Sequence, residues 1–299
     1  MRIVETFDET PAFELLGRRP PGAPVVFNSP HSGDCYPRQF LRAIRLDRQT
    51  IRRSEDTYVD ELFADVVRFG APLMRANFPR VFIDVNREAY ELDPAMFDGE
   101  LPGYANSASA RVAGGLGTIA RVVADSQEIY RSRLGVADAM ARIEAFYKPY
   151  HAALEHLLRA TLDTHGCVLL VDCHSMPSSA RGIEGALKPD IILGDRYGTS
   201  CLPAIADSAA RILTALGYRV GRNRPYAGGY ITERYGLPAH GMNALQIELS
   251  RSLYMDEATN ARSVGFDRLR RNLATFARAL IEDARVKMGG GRGQAIAAE

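Results

Sequence analysis

The 299 residues carry almost no net charge, with Lys+Arg 37 against Asp+Glu 36. No broad basic face is therefore expected to follow a phosphate backbone, which argues against nucleic-acid binding. No apolar stretch reaches the length that crosses a bilayer, and Met1-Arg2-Ile3-Val4-Glu5 opens no signal-like apolar segment, so no membrane partner and a cytoplasmic location are expected. The cysteines are only four, Cys35, Cys167, Cys173 and Cys201, and none form a CxxC pair. That excludes the common zinc-ribbon and dithiol redox patterns and predicts reduced thiols with structural roles. There is no GxSxG elbow to make Ser175 a nucleophile, and no GxGxxG fingerprint. Gly114-Gly115-Leu116-Gly117-Thr118 lacks the Gly-Lys-Ser/Thr that completes a phosphate loop.

What the chain does have is alternation of strand and helix. Hydrophobic residues make up 46%, enough to bury a large core. Apolar runs predict strands at 24–29, 72–76, 80–85, 167–173, 190–194, 218–222 and 243–249. Helical spacing predicts helices at 48–69, 125–165 with a kink at Pro149, 199–216 and 257–287. The Gly- and Pro-rich stretch 88–120 reads as a long surface excursion of the kind that carries function. We expect one α/β domain over 1–288, a three-layer α/β/α sandwich with a mixed central sheet, and a disordered tail over 289–299.

Two strands end in the same way. Val25-Val26-Phe27-Asn28-Ser29-Pro30 delivers His31, and Val168-Leu169-Leu170-Val171-Asp172-Cys173 delivers His174. Two strand-end imidazoles at one cleft make half of a zinc site, which in hydrolases takes three protein ligands and leaves a fourth position for water. A carboxylate is the expected third ligand: Asp56 first, then Glu55, then Asp34. His151, His156, His165 and His240 have no carboxylate at ligand spacing and are set aside. Glu248 closes the otherwise apolar run 243–249, and a buried carboxylate there must be paired, liganded or tuned; a salt bridge with Arg251 is the plain alternative to a general base. Arg87 and Arg80, at the two ends of the run 80–85, suit a carboxylate or a developing oxyanion, with Arg87 preferred. Gly228, Gly229 and Tyr230 lie between two strands, where paired glycines admit a ligand close to the backbone or simply make a turn.

Taken in order, Ser29-Pro30-His31-Ser32-Gly33, Glu55-Asp56-Thr57-Tyr58-Val59-Asp60-Glu61-Leu62, Arg80-Val81-Phe82-Ile83-Asp84-Val85-Asn86-Arg87, Tyr147-Lys148-Pro149-Tyr150-His151, Asp172-Cys173-His174-Ser175-Met176 and Gly228-Gly229-Tyr230-Ile231-Thr232 through Gln246-Ile247-Glu248 resemble the N-formylglutamate amidohydrolase family. The set runs from about residue 24 to 285. The resemblance implies a zinc-exopeptidase-like fold, and hydrolysis of N-formyl-glutamate to formate and glutamate in histidine degradation. It implies one Zn2+ per chain on His31, Asp56 and His174, Glu248 as base, and Asn86 and Arg87 at the substrate carboxylate or carbonyl. Where related exopeptidases have His-x-x-Glu, this chain has His31-Ser32-Gly33-Asp34, which keeps the carboxylate ligand an open choice. A doubly charged substrate needs a second cation, for which Arg80, Arg111 and Arg121 are the candidates. Three other readings stay in play: a deacylase of another N-acyl amino acid, a metal-binding protein without turnover, and a metal-free protein with structural histidines.

Overall fold

A computed structural model describes every residue except 5–6, 8–9, 124–125, 181–187 and 290–299. The expected tail lies outside the described residues beyond Gly289. No helix among the described residues is long and apolar enough to cross a membrane.

Seven strands form the main sheet: β1 Phe13–Leu16, β2 Val25–Ser29, β3 Leu73–Ala76, β4 Val168–Met176, β5 Ile191–Gly194, β6 Val220–Arg222 and β7 Met242–Ser250. Their order across the sheet is β6-β5-β7-β4-β2-β3-β1. β4 runs parallel to both β2 and β7, while β5 pairs antiparallel with β7, so the sheet is mixed. The helices include α1 Val136–Arg142, α2 Lys148–His165, α3 Pro203–Ala215, α4 Tyr230–Tyr235 and α5 Phe266–Gly289. A mixed central sheet flanked by helices is the architecture expected from the sequence.

The described chain groups into two compact units. One comprises 1–14, 30–56 and 75–154, and the other 15–29, 57–74 and 155–299. In the second unit, strand periodicity divides the work between two sets of residues. Val25 and Phe27, Leu169, Val171 and Cys173, and Leu245, Ile247 and Leu249 all join the apolar core with α3 and α5. Because side chains alternate across a strand, the intervening positions point to the other face. Those positions carry Asn28, Asp172, His174, Gln246 and Glu248, all buried. Register then sets the polar groups side by side: Asp172 pairs with Asn28 and Gln246, and His174 with Glu248.

In the first unit the core is aromatic. Phe82 meets Phe40 and Phe146 edge-on with ring centroids 5.7 and 5.1 Å apart, and Phe78 meets Phe146 at 5.5 Å. This explains one departure from the expected elements. Residues 80–85 are mostly apolar, but they form turns rather than a strand. Phe82 N–H donates to Pro79 O at 3.0 Å, and the Asp84 side chain accepts from Asn86 N–H at 2.8 Å, so the backbone closes on itself while the apolar side chains fill the aromatic core.

Other boundaries moved for local reasons. The helix expected at 48–69 is three short pieces, Arg48–Arg52, Val59–Leu62 and the 3-10 turn Ala64–Phe69. It breaks because Asp56 N–H donates to His31 O at 3.0 Å and Tyr58 takes a positive φ of 68°, an outlier for a bulky side chain. The helix expected from 125 begins only at Val136, with the short strands Gln127–Glu128 and Leu134–Gly135 before it. Pro149 is preceded by a π turn, Ile143–Tyr147, in which Lys148 N–H reaches back to Ile143 O. The missing proline donor is thereby absorbed without ending the helix. The last helix begins at Phe266 instead of 257, since Asp256 caps Ala258 N–H and Thr259 N–H in a turn.

Candidate active site

The His31 loop belongs to the first unit and is built around close backbone packing. A Cβ on Gly33 would lie 2.3 Å from Phe78 O, so only glycine lets the loop lie against residues 77–78. His31 Nε2 is 2.8 Å from Asp84 Oδ1. A carboxylate can only accept there, which assigns the proton to Nε2 and makes Nδ1 the lone-pair nitrogen. That Nδ1 is 3.4 Å from Asp56 Oδ2, both side chains being about 1% exposed.

Asp84 is itself held between cations. Arg80 Nη2 donates to its Oδ2 at 2.7 Å, and Arg87 Nη2 is 3.9 Å away. Burial pushes the Asp84 carboxyl up, yet Arg80, His31 and Arg87 outweigh it and hold the group well below the ordinary carboxylate range. Arg87 Nε donates to Leu116 O and Nη1 to Asn86 O, each at 2.8 Å, and burial draws this guanidinium below its usual value. The Tyr147-Lys148-Pro149-Tyr150-His151 phrase secures this turn: Tyr147 OH donates to Arg87 O at 2.7 Å, and His151 Nε2 to Val85 O at 2.9 Å. His151, set aside at the sequence level, thus holds the backbone that presents Asp84, Asn86 and Arg87.

The open choice of carboxylate narrows. Asp34 is bound to Arg2 at 2.9 Å and lies 3.7 Å from the amino terminus. Glu55 accepts from Tyr36 OH at 2.7 Å and Arg52 Nε at 3.0 Å, and burial raises its pKa against the pull of Arg52. Asp56 is the one whose oxygen joins the imidazoles: one ligand atom each from His31, Asp56 and His174 lies within 4.8 Å of the others, and all three residues are buried. Two imidazole nitrogens and one carboxylate oxygen are a donor set suited to zinc.

The second unit repeats the His31 arrangement. His174 Nε2 donates to Asp172 Oδ2 at 2.9 Å, and Asn28 Nδ2 donates to Asp172 Oδ1 at 2.8 Å. Here too the carboxylate fixes the proton on Nε2 and assigns the lone pair to Nδ1. Replacing Asp172 by Asn is expected to weaken the affinity of this donor set for a metal ion about 10- to 100-fold. Competition titration against a chromophoric chelator checks this; unchanged affinity would remove Asp172 from the site's support.

Glu248 sits opposite His174 in the strand register. Its Oε1 accepts from Gln246 Nε2 at 2.9 Å, and Gln246 Oε1 accepts from Gly229 N–H at 2.7 Å. Gln246 thus ties the Gly228-Gly229 turn to the carboxylate. Gly194 is what lets that turn approach: a Cβ there would lie 2.7 Å from Ala227 C, and Gly228 itself has φ of 124°. Tyr230 opens α4, and its hydroxyl accepts from Arg234 at 3.2 Å.

Arg111 pairs with Glu91 at 3.5 Å, and Arg121 with Asp93 at 2.8 Å. The cysteines are free and buried. Burial pushes the Cys35 thiol up, the Cys173 thiol well up, and Cys201 to about 12. With the thiolate so disfavoured, the native protein at pH 8 is expected to resist alkylation at Cys173 and Cys201 until it is unfolded, as peptide mass mapping would read.

Asp172 and Asp84 were not singled out in the sequence as partners of the histidines. A signal existed for Asp172, which stands two residues before His174 and so on the same strand face. Asp84 lies 53 positions from His31 and had no such local sign.

The family model described as N-formylglutamate amidohydrolase matches residues 23–255. An N-formylglutamate deformylase of Pseudomonas putida is 28% identical over 240 residues, spanning 78% of this chain and 82% of that protein. One from Pseudomonas aeruginosa is 26% identical over 247 residues, spanning 82% and 86%. The crystal structure of an N-formylglutamate amidohydrolase from Ralstonia eutropha JMP134 superposes with a TM-score of 0.86 at 37% identity, covering 92% of this chain and 99% of that one. A gene product of Agrobacterium tumefaciens shares the fold, with a TM-score of 0.60 at 17% identity over 97% and 98% of the two chains.

Proposed function

Because the chain belongs to the N-formylglutamate amidohydrolase family, we propose that it hydrolyses N-formyl-L-glutamate to formate and L-glutamate with a zinc ion held by His31, Asp56 and His174. The observation that carries the reading is a buried glutamate in register with a buried histidine on one strand face, in a chain whose relatives are named for this reaction. Bound at that donor set, zinc supplies a Lewis acid that polarises the formyl carbonyl and brings the pKa of the attacking water to about 7.

The residues' own parts follow from their surroundings. Asp84 and Asp172 hold the two imidazoles in one tautomer and one orientation. Glu248 takes a proton from the water as its oxygen bonds to the formyl carbon, then delivers it to the amide nitrogen as the carbon–nitrogen bond breaks. Gln246 donates to one oxygen of Glu248, which steers the carboxylate. Asn86 and Arg87 are assigned to the substrate carboxylate or the tetrahedral oxyanion, and Gly228, Gly229 and Tyr230 to the wall that the substrate lies against. Arg80 and Arg121 are the candidates for the second substrate carboxylate.

The test is a panel of N-formyl and N-acetyl amino acids assayed with and without chelator. N-formyl-glutamate should be turned over fastest, and chelation should abolish the activity until zinc is returned. A preference for an N-acetyl substrate would instead favour the deacylase reading, since zinc chemistry alone does not choose the acyl group.

A further inference from the structure

Arg121 also borders a cavity of about 210 Å³ in the first unit, together with Arg45, Arg131 and Arg133. We propose that it is a binding site for a small dicarboxylate, taken up without any metal.

Backbone pairing brings the arginines together. Ile44 and Tyr130 form an antiparallel bridge, with Arg45 N–H donating to Ile129 O at 2.9 Å and Arg131 N–H to Ala43 O at 3.0 Å. Arg131 Nε donates to Ile44 O at 2.8 Å, a neutral acceptor that does not itself offset its charge. A short hairpin pairs Val122 with Glu128, which sets Arg121 beside the same wall.

The charges do not cancel. Glu128 is the acid that lines the cavity, 3.3 Å from Arg45 and 4.0 Å from Arg121. Asp93 also pairs with Arg121, at 2.8 Å. Among the described residues, four guanidinium groups against these two carboxylates leave an excess of two positive charges, which calls for a dianion. Ala95 and the largely buried Met96 and Tyr130 also line it, giving apolar surface to a ligand's carbon chain. Taking about 30 Å³ for each water in the liquid, the volume equals about seven waters. That is room for a short chain ending in two carboxylates, each able to meet a guanidinium in a forked contact.

The inference shares Arg121 with the hydrolase reading, but its test reads binding directly and needs no turnover. Calorimetric titration of the full chain at low salt should give saturable, one-to-one binding of glutarate. Butyrate, with one carboxylate, should bind at least tenfold more weakly, and so should inorganic phosphate, which has no carbon chain. Arg45→Gln combined with Arg133→Gln should weaken glutarate at least tenfold. Glu128→Gln, which removes a competing carboxylate, should strengthen it, an effect that misfolding would not produce. Three results would overturn the proposal: no saturable glutarate binding, equal binding by the double variant, which would put the ligand elsewhere, or tighter binding of phosphate than of glutarate.

Discussion

Glu248→Gln should lower turnover of N-formyl-glutamate by a factor of about 10² to 10⁴, the range a positioned acid–base group contributes, while zinc stoichiometry stays at that of the wild type. In barrier terms this is about 3–5 kcal/mol. The substitution keeps the volume and can still bond to Gln246, whose amide now meets an amide at 2.9 Å from the former carboxylate. What is removed is the ability to accept a proton, so KM should move far less than kcat. The pairing of the two measurements makes the result diagnostic. Lost metal would mean that Glu248 helps to hold the ion; an unchanged rate would remove it from the chemistry. The alternative weighed at the sequence level, a salt bridge to Arg251, would show as a fall in Tm with little effect on rate. Arg251 Nε also donates to Ser175 Oγ at 3.2 Å.

His174→Asn should have the other large effect, with zinc content falling to background and activity going with it. Only His31 and Asp56 would remain of the three donors, and the open position that catalytic zinc keeps for water presupposes three protein ligands. The replaced ring also leaves Asp172 with one of its two side-chain donors, Asn28 at 2.8 Å, so a buried carboxylate loses part of its compensation. Some loss of Tm is therefore expected, and circular dichroism must show a folded protein. Elemental analysis of the folded variant is the measurement that decides: full zinc occupancy would take His174 out of the ligand set.

The strands that carry the second-unit chemistry were readable because each is a mainly apolar run whose polar residues gather toward its end. The observed β2, β4 and β7 fall within three residues of the expected bounds. Elements with mixed demands were not readable. Residues 53–58 have helical spacing on both sides, yet tertiary bonds to the His31 loop and to Tyr36 outweigh that local preference. Residues 80–85 have a strand's composition, but aromatic packing buries the same side chains from a turn. The choice of Asp56 over Glu55 and Asp34 was also beyond local pattern. All three acids are near histidine or helix signals, and only their partners in space, Arg52 and Tyr36 for Glu55 and Arg2 for Asp34, separate them.

In β2, β4 and β7 the core residues Val25, Phe27, Leu169, Val171, Cys173, Leu245, Ile247 and Leu249 are odd-numbered, while Asn28, Asp172, His174, Gln246 and Glu248 are even-numbered. Durability and reactivity are thus written on alternate letters of the same strands. Exchanging Leu245 or Ile247 for another aliphatic of similar size would tune how hard the protein is to melt and leave the proton chemistry alone. Losing a single residue within such a strand would do the reverse of tuning, since every imidazole and carboxylate beyond the cut would swing into oil and every aliphatic into the place of reaction.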